Sequence, residues 1–105
     1  MSHILYHKLV RDRVPEMIME RGWRCQVVEL QQDEYLSMLD KKLQEEMDEY
    51  KQNKSLEELA DMLEVIHAIA QARGSSMAEV ENIRSQKAQK RGGFKGKLLL
   101  REVWD

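Results

Sequence analysis

Apolar residues recur at helical spacing on both sides of one short break, and this constrains the fold more than anything else in the chain. Before the break, Leu36, Leu39, Leu43, Met47 and Tyr50 follow at intervals of 3, 4, 4 and 3. After it, Leu56, Leu59, Leu63, Ile66 and Ala70 repeat the pattern, flanked by Met62 and Ile69. Such intervals hold side chains on one face of a 3.6-residue helix and on no single face of a strand. The break, "KQNK" at 51–54, leaves room only for a turn that brings the second helix back antiparallel to the first. Asp33 is placed to cap the first helix, and Ser55 with Glu58 three residues on reads as a capping box for the second. An αα-hairpin is the expected frame.

Other elements arrange around it. Pro15 suits the first turn of a short helix over 15–21, closed by Gly22. Ser76 with Glu79 forms a second capping box and opens a last helix to about residue 90. The segments "RCQVVEL" (24–30) and "KLLLREV" (97–103) are short and apolar, and they are expected to pair as two strands. Cys25, Trp23 and Trp104 are expected in the core. The fold class is therefore all-α, a helical bundle with a minor two-stranded β element. A chain of 105 residues builds one ordinary core, so residues 1–105 form a single domain. Small helical domains often complete that core by association, which makes a homodimer or higher homo-oligomer the expected assembly.

Charge narrows the partners. The formal net charge is −2, whereas a nucleic-acid polymer calls for a net basic domain. No apolar run approaches the length of a membrane span. The opening "MSHILYHKLVRDR" lacks the apolar segment of a signal peptide. The lone Cys25 cannot form an internal disulfide and argues for a reducing compartment. The cytoplasm is the expected location.

The distribution of charge is more telling than its sum. Residues 44–64 hold eight acids against two lysines. At about 100° per residue, Glu46 and Glu49 lie on one flank of the first stripe, and Glu58 and Asp61 form a similar pair on the second helix. Glu49 sits about one turn before the break and Glu58 about one turn after it. Three residues further out on each helix, about 4.5 Å along the axis, stand Glu46 and Asp61. Four carboxylates thus form two rungs across the hairpin. Like-charge pairs at these spacings cost about 0.2–0.5 kcal/mol each on an isolated helix, and a divalent cation would reverse the sign. Carboxylates without a Cys or a paired His suit hard cations, Mg²⁺ or Mn²⁺. A solvated acidic face is the plainer alternative, and it leaves the matched rungs unexplained.

The acids also carry a resemblance. "EEMDE" followed by "ELAD" resembles the E-E-x-x-E…E-x-x-D signature of the all-α nucleoside-triphosphate pyrophosphohydrolases, the MazG-like and phosphoribosyl-ATP-pyrophosphohydrolase-like group. "KLVRDRVPE" and "KAQKRGGF" look like flanking motifs of a small single-domain branch, so the resemblance spans most of the chain. It implies a four-helix core completed by dimerisation, and Mg²⁺-dependent cleavage between α- and β-phosphates to a monophosphate and pyrophosphate. Carried over, Glu46, Glu49, Glu58 and Asp61 would bind metal. Glu45 fills the first motif position, as a ligand of a second metal or to orient the attacking water, so the catalytic candidates are Glu45, Glu46 and Glu49.

Four cationic residues are candidates for phosphate. Lys87 and Arg91 lie at i, i+4 and lead into Gly92 and Gly93, where the backbone can approach a ligand closely. Lys8 and Arg11 are similar candidates, and Arg11 has the alternative of pairing with the acidic face. Two rival functions remain. One is an acidic helical module that binds a basic partner. The other is a di-iron carboxylate protein, for which Glu64 and His67 supply one Glu-x-x-His where two are needed.

Overall fold

The computed structural model describes residues 3–105. Four helices follow in order: α1 (Val14–Glu20), α2 (Gln32–Asn53), α3 (Leu56–Ala72) and α4 (Met77–Arg91). The all-α class is as the apolar periods predict. Among the described residues no helix is long and apolar enough to cross a membrane.

Helices α2 and α3 form the expected antiparallel hairpin, pinned at both ends. Gln32 Nε2 donates to the Ala72 carbonyl at 2.8 Å, and Asn53 Nδ2 donates to Glu58 Oε1 at 2.9 Å. The turn is tighter than the "KQNK" break suggests. Helix α2 continues to Asn53, and only Lys54 and Ser55 separate it from α3. Lys54 takes the left-handed conformation, φ 55°, and its N–H donates to the Tyr50 carbonyl at 2.7 Å. The apolar period stops at Tyr50 because the next residues face solvent, although nothing in Lys-Gln-Asn opposes a helix.

The caps differ in detail from the pattern. Helix α2 starts after Gln31, so Asp33 acts in the first turn, where its charge favours the helix dipole. At α3 the Ser55 hydroxyl bonds the Glu58 carboxylate and caps no backbone N–H. At α4 Ser76 Oγ accepts from the Glu79 N–H at 3.2 Å, while Ser75 Oγ donates to the Glu79 carboxylate at 2.6 Å.

Which face of α3 is covered is a correction. Its buried side chains are Val65 and Ala70, opposite Leu39 of α2, with Met62 and Ile69 half-buried beside Val65. The leucines expected in the core lie about 120–180° round the helix from Val65. Leu56 is 81% and Leu63 54% exposed, and Leu59 is exposed with them. Helix α3 is apolar on two sides, and its leucine side is the one left exposed.

The strand pair is a second correction, since residues 24–30 and 97–103 form no strand. No backbone hydrogen bond joins the two segments, and the Lys97 N–H donates instead to the Phe94 carbonyl in a local turn at 3.1 Å; an isolated two-stranded element has little stability in water. Cys25, Trp23 and Trp104 are exposed rather than in the core. Beyond α4 the chain runs out as an apolar arm, with Phe94 99% exposed. These extensions give a radius of gyration of 18.6 Å, against about 13 Å for a compact chain of this length.

Candidate metal centre

Helix α2 places Glu45, Glu46 and Glu49 on adjoining positions of its central turns. Each offers one carboxylate oxygen to a group whose members all lie within 4.8 Å of one another. Glu46 occupies the seam between α2 and α3 and is 6% exposed, while Glu45 and Glu49 are half-buried at its sides. Its Oε2 is buried without a hydrogen-bond partner. Leaving a buried polar atom unpaired costs about 1–3 kcal/mol, and more when it is charged.

The electrostatics follow from this placement. Burial, and then the neighbouring Glu49 carboxylate, push the Glu46 carboxyl above the usual carboxylate range, with Asp61 adding to the effect and Lys42 opposing it. Glu45 is shifted the other way, held low chiefly by its hydrogen bond to Lys8. The same bond raises the Lys8 ammonium. Adjacent carboxyls on one turn are thus driven apart, the arrangement typical of sites that bind cations or move protons.

The two acids of α3 lie across the seam. Asp61 is near enough to Glu46 to act on its carboxyl, while Glu58 lies at the turn beside Asn53. Neither joins the three-carboxylate group. Glu58 is held by Ser55 and Asn53, while Asp61 Oδ1 accepts from Arg11 Nη2 at 2.8 Å. Asp48 is a surface acid bonded by Gln44, and Glu57, Glu64 and His67 are exposed.

The cationic candidates separate into two sets. Lys8 Nζ lies 2.8 Å from Glu45 Oε1, and Arg11 reaches Asp61, so the segment before α1 brings both onto the acids. Pairing with the acidic face, the alternative weighed for Arg11, is what the structure contains. Lys87 and Arg91 are exposed on α4 and make no ion pair with an acid of α2 or α3 among the described residues. Gly92 ends α4 at φ 83° with its N–H on the Ala88 carbonyl, so its glycine character is used by the helix end.

Lys42 is the site residue that sequence reasoning missed. Its Nζ lies 3.5 Å from Glu45 Oε1 and 3.6 Å from Glu46 Oε1, and the side chain is largely shielded. The sequence signal for it is the i, i+3 and i, i+4 spacing to the two acids, a weak one because Lys before Glu is the poorer order on an exposed helix. Its shielding restores the interaction.

No family model, no curated protein and no solved structure matches the chain. The chemistry of the site rests on its own residues.

Proposed function

We propose that the chain is a nucleotide pyrophosphohydrolase dependent on Mg²⁺, with Mn²⁺ as an alternative. Water would open the anhydride between the α- and β-phosphates and yield a monophosphate and pyrophosphate. The observation that carries this reading is the unpartnered, buried Oε2 of Glu46 within the Glu45–Glu46–Glu49 group. A hard cation supplies what that oxygen lacks, and an all-oxygen donor set is what Mg²⁺ and Mn²⁺ take. The resemblance of "EEMDE…ELAD" to the pyrophosphohydrolase signature points the same way.

In this reading Glu46 and Glu49 hold the cation from α2, and Glu58 and Asp61 complete the set from α3. The cation supplies positive charge facing the phosphates and acidifies water there. Glu45, a member of the same carboxylate group, would add a cation ligand or orient that water. Lys8, Arg11, Lys87 and Arg91 are the donors available to phosphate oxygens.

A second copy is assigned to the uncovered leucine face of α3. Packing Leu56, Leu59 and Leu63 against their equivalents would complete a four-helix core in a homodimer. The single Cys25 suits the cytoplasm. The test is a pyrophosphate-release screen over normal and modified nucleotides with Mg²⁺ and with Mn²⁺. Release from at least one nucleotide, dependent on the cation, is expected; no release from any of them overturns the proposal.

A further inference from the structure

The segment ahead of α1 lies across the hairpin as a strap. Lys8 holds Glu45 on α2 and Arg11 holds Asp61 on α3, each at 2.8 Å. The two residues are three apart, about 10 Å in an extended chain, which matches the 8–10 Å between axes of packed helices. The strap is seated, not merely tethered. His7, Lys8 and Leu9 line a shallow open groove with Met38, Lys42 and Glu45 of α2, and Leu9 is the half-buried residue between exposed neighbours. Both ends of the strap therefore occupy carboxylates that flank the unpartnered Glu46 Oε2.

We propose that this strap is a cation-operated gate: a divalent cation entering the carboxylate group competes with Lys8 and Arg11, and its binding releases them for the anionic ligand. The inference rests on reading the carboxylates as a cation site. A cation drawing on Glu45 and Asp61 takes the lone pairs that the ammonium and guanidinium hold, and its own charge repels both groups. Once released, Lys8 and Arg11 lack a counter-charge, which phosphate oxygens supply. Binding is therefore ordered, cation first and polyphosphate second. The gate makes anion affinity conditional on the cation and keeps the cationic side chains occupied until then.

The test is calorimetric titration of Mn²⁺ alone into the full chain, its Lys8→Gln/Arg11→Gln double variant, Lys8→Arg, and Arg13→Gln. Arg13 pairs with Glu16, outside the site. Removing two exposed pairs is expected to tighten Mn²⁺ binding about two- to thirty-fold in the double variant, while Lys8→Arg and Arg13→Gln stay near the parent. Affinity that is unchanged or weaker in the double variant overturns the gate and leaves the cation site standing. So does an equal tightening in Arg13→Gln, which would reduce the effect to overall charge. Absence of Mn²⁺ binding in every chain overturns both readings. In the parent chain, saturating Mn²⁺ should also speed tryptic cleavage after Arg11 and Arg13; protection of those bonds contradicts release.

Discussion

Lys42 stands one turn ahead of Glu46 on α2 and answers only half of its carboxylate. The ammonium lies 3.6 Å from Oε1, while Oε2 is buried with no partner. The chain thus folds with an unpartnered carboxyl oxygen buried in its main helix pair. Such a group costs stability, so its presence calls for a ligand.

Replacing it should therefore separate stability from binding. Glu46→Gln is expected to raise unfolding stability at neutral pH by about 1 kcal/mol, because it removes a buried charge among like charges. The same change should abolish Mn²⁺ binding. Thermal melts with and without Mn²⁺ check both, and a variant that melts lower and still binds the cation would contradict the assignment.

The gain should also depend on pH in a direction set by the shifted pKa. Glu46 is raised by burial and by Glu49, so the native state holds its proton to higher pH than the unfolded chain does. Its penalty is present at neutral pH and disappears as pH falls through the raised folded value toward the ordinary carboxylate range. The advantage of Glu46→Gln should shrink accordingly in melts between about pH 8 and pH 4. Glu45 is lowered by Lys8 and behaves oppositely. Its contribution is present above the ordinary carboxylate value and is lost as pH falls through its lowered folded value.

At the turn of the hairpin Lys54 adopts φ 55°, a left-handed conformation that costs a non-glycine residue about 1–2 kcal/mol. Its ammonium sits 5.3 Å from the Tyr50 ring centre, which returns part of that. Lys54→Gly is expected to stabilise the chain by about 0.5 kcal/mol net. Urea unfolding midpoints measure it, and a loss of more than that amount would show that the lysine–tyrosine contact outweighs the backbone strain.

Local features were legible in the sequence. Helix bounds fell within three residues of the expected spans, because apolar period, Pro15 and the serine caps act through near neighbours. The Ser76 cap on the Glu79 N–H is equally local. What depended on distant partners was not legible. An apolar period marks Leu56, Leu59 and Leu63 as one face, yet it does not say that α2 covers Val65 on another. The apolar content of 24–30 and 97–103 suggested strands, although nothing in either segment supplies a third partner for a sheet. At the site, composition showed the excess of acid. It could not show that Lys8 reaches Glu45 from 37 residues away, or that Glu46 alone is buried.

The acidic-module and enzyme readings part at the carboxylates. Glu49→Gln and Asp61→Asn remove a cation ligand each in the enzymatic reading, and hydrolysis should fall by about two orders of magnitude or more. A module that binds a basic partner through its acidic surface would lose only the small share of two exposed or half-exposed charges. Pyrophosphate release by the parent chain and by both variants decides between them; activity retained in both would remove the metal roles of Glu49 and Asp61.

The leucine face makes the last demand. Leu56, Leu59 and Leu63 lie on one side of α3, and Leu56 and Leu63 are more than half exposed. An exposed apolar face of this kind is open to a partner. If a second copy covers it, Leu59→Asp and Leu63→Asp bury an unpaired charge at a two-fold contact, where each substitution acts twice. Sedimentation should show the parent chain as a dimer and both variants as monomers. The cation group faces the α2–α3 seam within one chain, so monomeric variants should retain Mn²⁺ binding. A parent chain that sediments as a monomer at all concentrations would assign the leucine face to another partner, and variants that remain dimeric would move the contact elsewhere on the chain.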